Sequence, residues 1–269
     1  MARPVKLVLW EMNNPLVVLI LFVGLILGFA AVHQAYLSVG SAVGGRYPAT
    51  NGQYTALNFS TKSNSIQIRA LEGDYFYTST GRSITGDLRV GFGVYTFITI
   101  LMGSLIFRWD RDSGYASVLY SLPYSKSTVF VAKFTAFLTL SLTLYVLPYL
   151  LAVIPSNADI LSVVLDVLKS RETLKIFALS IYAVLYTVSV IAFIASILPG
   201  LFPTIIGAFF LISISSNIFP NVLPPFSFIT VPVTYSLSPL EARFMIPGLI
   251  IPLVLFILGL YVFERRDVV

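Results

Sequence analysis

The side chains with the most chemistry to offer are crowded into one polar interruption between two apolar stretches. From Phe107 it reads Phe-Arg-Trp-Asp-Arg-Asp-Ser-Gly-Tyr-Ala-Ser-Val-Leu-Tyr-Ser-Leu-Pro-Tyr-Ser-Lys, ending at Lys126. A connector between two membrane spans needs only a few polar residues to turn. This one carries Arg108, Asp110, Arg111 and Asp112, and then a short helical run. Asp112 or Ser113 suits the start of a helix, and Gly114 permits a close approach. Tyr115, Val118, Leu119 and Leu122 fall on one helical face around Ser117 and Ser121. Pro123 stops the run, and Ser125 or Ser127 suits the cap of the next span. The expected product is a short helix parallel to the membrane, bracketed by charge. It serves either as a plain interfacial turn or as a lever seated in a partner protein.

Other chemistries are missing from the chain. No Gly-x-x-x-x-Gly-Lys-Ser/Thr loop is present to cradle ATP phosphates. The single histidine, His33, excludes a multi-histidine metal site within one chain and is expected to pack or sit at the interface. With no cysteine there is no thiolate ligand, thiol nucleophile or disulfide framework. Lys133, in the first turns of an apolar run, is expected to snorkel to the cytoplasmic headgroups. The centres of the apolar runs hold almost no ionisable groups, which disfavours an ion-coupled carrier.

The elements that must position these residues are membrane spans. Of the 269 residues, 57% are hydrophobic and 11% charged, with mean hydropathy +0.88; soluble domains carry roughly 25% charge. Runs near 15–36, 88–107, 127–154, 173–198, 202–218 and 244–263 each approach the ~20 residues that a helix needs to cross the hydrocarbon. The fold class expected is an all-α polytopic membrane protein with six transmembrane helices. Residues 1–14 form an amphipathic interfacial helix, with Val5, Val8, Leu9 and Met12 on one side and Arg3, Lys6 and Glu11 on the other. Asn14-Pro15 resembles an N-cap followed by proline at the first helical position, and the first apolar run reads as a retained span rather than a signal peptide. Residues 15–38 and 88–269 form the transmembrane domain, and 39–87 a small β-rich extracellular insert. In that insert, Leu57 and Phe59 alternate with polar residues, Lys62-Ser63-Asn64 reads as a turn, and Ile66 and Ile68 alternate again.

The net charge of +5 and pI near 9.4 reflect Lys and Arg facing the cytoplasm and headgroups rather than nucleic acid. Arg3, Lys6, Arg108, Arg111, Lys126, Lys133, Arg265 and Arg266 all fall on one side, close to span ends. That side is taken as cytoplasmic, so both termini are inside and the protein is multi-pass in the cell (plasma) membrane.

At the polar interruption the chain resembles the permease subunits of ABC-2 type transporters. The shared elements are Asp112-Ser-Gly114, Leu119-Tyr-Ser121-Leu-Pro123, Ser125-Lys126 and Lys133. An N-terminal amphipathic helix, six spans, a proline-rich outer loop and cytoplasmic termini also fit that family. The resemblance implies an exporter's transmembrane subunit, not itself an enzyme, with no cofactor of its own. ATP and Mg would be held by two separate ATP-binding cassette ATPases, and a second permease subunit would complete a homo- or heterodimer. Asp112, Gly114, Tyr115, Ser117, Val118, Ser121 and Pro123 would then couple to the ATPase. Membrane lipids are the remaining partner, and nucleic acid is not one.

Hydroxyl and small residues recur in the spans: Thr96, Thr99 and Gly103; Ser189, Ala192 and Ser196; Thr204, Ala208 and Ser215. Such stripes usually pack helices together. On the family resemblance, Thr96, Thr99, Thr204 and Ser215 line a path at a dimer interface. Leu161, Val164, Leu165 and Leu168 predict an outer amphipathic helix. Between spans 5 and 6, five prolines from Pro220 to Pro239 predict short pieces tucked into the outer leaflet. Ser238-Pro239-Leu240-Glu241 fits a capping box that opens span 6. Asn58-Phe59-Ser60 is a glycosylation sequon. The rival to transport is a non-transporting membrane scaffold or receptor subunit that binds through the extracellular insert.

Overall fold

The computed structural model describes residues 4–40, 45–48, 58–62, 65–72, 75–83, 88–114, 124–156, 171–218 and 240–265. Seven helices emerge among them: α1 (Pro4–Met12), α2 (Pro15–Gly40), α3 (Leu88–Asp112), α4 (Lys126–Ser156), α5 (Arg171–Ile197), α6 (Leu201–Ile218) and α7 (Ala242–Arg265). Within them, Pro15–His33, Lys126–Ala152, Phe177–Ile197 and Ala242–Arg265 are long and apolar enough to cross a membrane. The chain is a multi-pass, α-helical membrane protein. The expected helix 161–169 and the proline-rich segment from Phe219 to Pro239 lie outside the described residues.

The helix starts follow local capping chemistry. The Leu16 N–H donates to Asn14 Oδ1 at 3.1 Å, with Pro15 in the first turn where a missing N–H costs nothing. The Thr128 N–H donates to Ser125 Oγ at 3.2 Å at the start of α4. The capping box expected before α7 does not form. Glu241 is not the third residue of the helix but the residue before it, extended at φ −67°, ψ 141°, with no side-chain cap. Its carboxylate instead meets Arg243 Nε at 2.7 Å. After one α turn, α7 widens into a π turn over Ile246–Ile250, where the Ile251 N–H returns to the Ile246 carbonyl five residues back.

Helix α3 lies at the centre, packed against α2, α4, α5 and α6. Gly24 and Gly28 let α2 approach closely: a Cβ on Gly24 would come within 2.6 Å of Ile98, and one on Gly28 within 3.2 Å of Pro148. Small residues four apart are how apolar helices gain contact without a hydrophobic driving force between them. The antiparallel seam between α3 and α4 is built in rungs. Tyr95 meets Tyr145 edge to face, with centroids 5.4 Å apart. Two turns further along, Gly103 opposes the Phe137 ring. Below that, Phe107 leans on Phe130, 5.6 Å away, which in turn packs on Phe263 of α7 at 5.3 Å.

Between α2 and α3, four strands form one antiparallel sheet: β1 (Gly45–Pro48), β2 (Asn58–Lys62), β3 (Ser65–Glu72) and β4 (Tyr75–Ser83), in the order β1-β4-β3-β2. Lys62 pairs with Ser65, and Glu72 with Tyr75. Asn58 opens the edge strand β2, opposite Arg69.

Candidate functional site: a charged hub at the end of α3

The last turn of α3 carries Arg108, Asp110, Arg111 and Asp112, and its contacts reach most of the bundle. Lys133, almost two turns into α4, is buried beside it. Its ammonium donates to the Ile106 carbonyl and to Asp110 Oδ2, each at 2.5 Å, and forms an ion pair with Glu11 Oε1 at 2.8 Å. Two of its three donors are thus hydrogen-bonded, and the second carboxylate adds charge compensation. An isolated buried charge costs several kcal/mol, and these partners are what make this one tolerable.

Two expectations are corrected here. Lys133 does not snorkel to the headgroups; it turns inward, where Asp110 Oδ2 and Glu11 Oε1 lie 2.5 and 2.8 Å from its Nζ. Glu11 does not lie on a headgroup-facing side of α1. Leu7 and Glu11, one turn apart, face the bundle, whereas Val5, Leu9 and Trp10 are exposed. Burial pushes the Glu11 carboxyl above the ordinary carboxylate range; Lys133 opposes the shift and Asp110 adds to it. Two carboxylates sharing one ammonium leave this trio with an excess negative charge.

Asp112 is also used differently from expectation. It does not cap a helix starting after it, since α3 continues through Asp112 itself. Its Oδ2 accepts a hydrogen bond from the Leu201 N–H at 2.6 Å, at the N-terminus of α6. Gly200, at φ +92°, makes the tight bend that presents this N–H. Ser113 returns its hydroxyl to the Trp109 carbonyl at 2.6 Å and so belongs to the end of α3. Gly114 closes that end at φ +76°, its N–H donating to the Arg111 carbonyl at 3.2 Å. A Cβ at Gly114 would touch nothing, so the glycine is there for its backbone angle and not for a close approach.

Two further contacts complete the hub. The Arg111 guanidinium lies 4.9 Å from the centre of the Phe263 ring of α7. On the far side of the connector, Lys126 Nζ donates to the Glu264 carbonyl at 3.3 Å. Tyr115, Ser117, Val118, Ser121 and Pro123 lie outside the described residues. Both ends of their segment are therefore moored, one by Asp110 and Asp112, the other by Ser125 and Lys126.

Thr96, Thr99, Thr204 and Ser215 are all buried within the single chain. Thr204 donates to the Gly200 carbonyl and Ser215 to the Ile212 carbonyl, each at 2.8 Å. The exposed residues of α6 include Phe202, Ile206, Phe209, Phe210 and Leu211. His33 stacks on Phe29 with centroids 5.5 Å apart.

Sequence reading missed the links from Lys133 to Glu11 and from Asp112 to Leu201. The first left a signal: a lysine inside an apolar helix requires an anionic partner, and Glu11 and Asp110 are close to span ends on the same side. The second left none, because it depends on how α3 packs against α6. No family model, curated protein or solved structure matches the chain.

Proposed function

We propose that the chain is the transmembrane permease subunit of an ABC-2 type ATP-binding cassette exporter. In this reading α3 and α6 also cross the bilayer, giving six spans with both termini cytoplasmic in the cell membrane and the four-stranded insert outside. Two copies, or two related subunits, pair with two ATPases that hold the ATP and Mg. The outer faces of α3 and α6 meet the partner permease or lipid.

The observation that carries the reading is the double mooring of 115–123. On one side Asp110 reaches α4 and α1 through Lys133, and Asp112 holds the start of α6. On the other, Lys126 holds the end of α7. A connector that only reverses the chain needs none of these contacts. One that receives a push from a partner needs a rigid attachment to the helices it is to move, which is the geometry of rigid-body coupling.

The test is capture of the partner. Cysteine or a photo-crosslinker at Tyr115 or Ser117 is expected to trap a nucleotide-binding protein carrying a phosphate-cradling glycine loop. In the same cysteine-free background, cysteine at Ser63 is expected to react with an impermeant thiol reagent from outside, and cysteine at Ser113 only after permeabilisation. Labelling of lipid alone at Tyr115 and Ser117, or reversed accessibility, would remove the transporter reading.

A further inference from the structure

Helix α1 has two faces suited to burial, and it can bury only one of them whole. Each residue of a helix turns by about 100°. Val5, Val8, Leu9 and Met12 therefore share one sector, the apolar stripe of a helix that lies on a membrane. Leu7 and Glu11 share another, roughly a third of a turn away. In the docked helix Leu7 and Glu11 are buried, Val8 and Met12 pack on the core, and Val5 and Leu9 are left 63% and 51% exposed. Docking thus splits the stripe. A helix resting on lipid keeps the stripe whole and turns Glu11 toward water.

The docked position depends on a crowded charge site. Glu11 Oε1 and Asp110 Oδ2 lie 2.8 and 2.5 Å from one ammonium, that of Lys133, and all three side chains are buried. Lys133 on α4 and Asp110 on α3 are the charged groups that act on Glu11. Arg108, two residues before Asp110, projects from nearly the opposite side of α3, and α2 has no ionisable side chain before His33. With both carboxylates charged, one negative charge is left over in a buried place; a proton on Glu11 removes it. Burial, opposed by Lys133 and reinforced by Asp110, holds the Glu11 carboxyl above the ordinary carboxylate range. The docked helix therefore binds that proton more tightly than a helix with Glu11 in water does. The joint to α2 permits a change of position. The Asn13 N–H donates to the Leu9 carbonyl at 3.0 Å and closes α1, while Asn14 caps α2 on its own. A swing at the exposed Asn13 leaves both helices intact.

We propose that α1 is a two-position strap, docked on α4 while Glu11 holds a proton and rolled onto the lipid headgroup layer when Glu11 is charged. Docking buries Leu7 and places Glu11 on Lys133. Release puts Val5, Val8, Leu9 and Met12 together into lipid, sets Glu11 in water, and leaves Lys133 with Asp110. Trp10, beside the stripe, then lies at the depth that tryptophan favours. An element with two packings, biased by one proton, is a pH switch. Below pH 4.5 the proton is bound in both positions and docking has its full advantage. As pH rises from there to the higher docked-state value, the ratio of docked to released helix falls by up to about tenfold per pH unit.

The test measures a distance in nanodiscs. The chain has no cysteine, so Lys6→Cys and Val131→Cys, both at exposed positions, can carry a pair of nitroxide labels that spans α1 and α4. As pH is raised from 4.5, a second distance is expected to grow at the expense of the first. Adding Glu11→Gln, which keeps the shape and cannot ionise, is expected to leave the docked distance alone at every pH. Adding Val5→Ser and Leu9→Ser instead, which breaks the stripe, is expected to shrink the released population. A control pair at Val131 and Ile181, exposed on α4 and α5, should hold one distance throughout. The inference is overturned by a single α1–α4 distance at all pH, by an equal pH response with Glu11→Gln, by a released population that the serine changes leave untouched, or by a control pair that moves with the first. The measurement involves no ATPase and no residue of 115–123, so its outcome is separate from that of the transport reading.

Discussion

Asp112 caps a helix that begins 89 residues after it: its carboxylate accepts the Leu201 N–H at 2.6 Å, at the positive end of the α6 dipole. Asp112→Ala is therefore expected to cost about 0.5–2 kcal/mol, the usual range for a lost N-cap, and Asp112→Asn less, since an amide oxygen still accepts the bond. Denaturant or thermal unfolding of the purified variants measures this. An alanine variant as stable as wild type would show that the contact contributes nothing.

Lys133 is expected to be far more sensitive. Lys133→Met leaves Glu11 and Asp110 buried without their counter-ion and should cost about 3–5 kcal/mol. Adding Glu11→Gln and Asp110→Asn to Lys133→Met should recover much of that loss, because neutral groups are cheaper to bury. If the triple variant is less stable than Lys133→Met alone, the trio is not electrostatically linked.

Acidity should act on the docking of α1. Burial, ahead of the opposing Lys133 and the reinforcing Asp110, raises the Glu11 pKa above 4.5. The folded protein then binds this proton more tightly than the unfolded chain does. The stabilisation is fully present below pH 4.5 and is lost as pH rises through the folded-state value. Relative to Glu11→Gln, which mimics the protonated form, wild type should lose stability across that window on going up in pH. A flat difference between the two would refute the shift.

Two glycines of α3 make an internal control. A Cβ at Gly103 would lie 2.8 Å from the Ile191 side chain and press on the Phe137 ring, whereas one at Gly93 meets nothing within 4 Å. Gly103→Ala is expected to destabilise by about 1–3 kcal/mol through overpacking. Gly93→Ala should stabilise by up to ~1 kcal/mol through helix propensity. Equal effects in the two variants would mean that the seam between α3 and α4 is looser than described.

The long apolar helices, four of them long and apolar enough to cross a membrane, were legible in the sequence because their apolar runs are long and their starts carry local signals. Asn14-Pro15 and Ser125 cap where their types and positions say they should, since a cap needs only its own next turn. The hub was not legible in the same way. In α1 the expected apolar face splits: Val8 and Met12 pack against the core, Val5 and Leu9 are exposed, and Glu11 turns inward. Asp112 has the right type for a cap, yet the N–H that it serves belongs to a distant segment. At Ser238 to Glu241 a well-spaced local motif failed, since Glu241 is extended and bonded to Arg243 instead. Local chemistry could be read along the chain, and chemistry between helices could not.

The π turn of α7 has a consequence for chain length. It accommodates one residue more than a regular turn does. Phe244 before it and Gly259 and Phe263 after it are buried, so each flank has a fixed inward side. Deleting one residue within Ile246–Ile250 leaves both flanks on their own sides. Deleting one residue nearer Leu255 swings everything after it by about 100° and carries Phe263 away from Phe130. The turn is an expansion joint: the stretch of α7 where the count of residues, rather than their identity, is free to change.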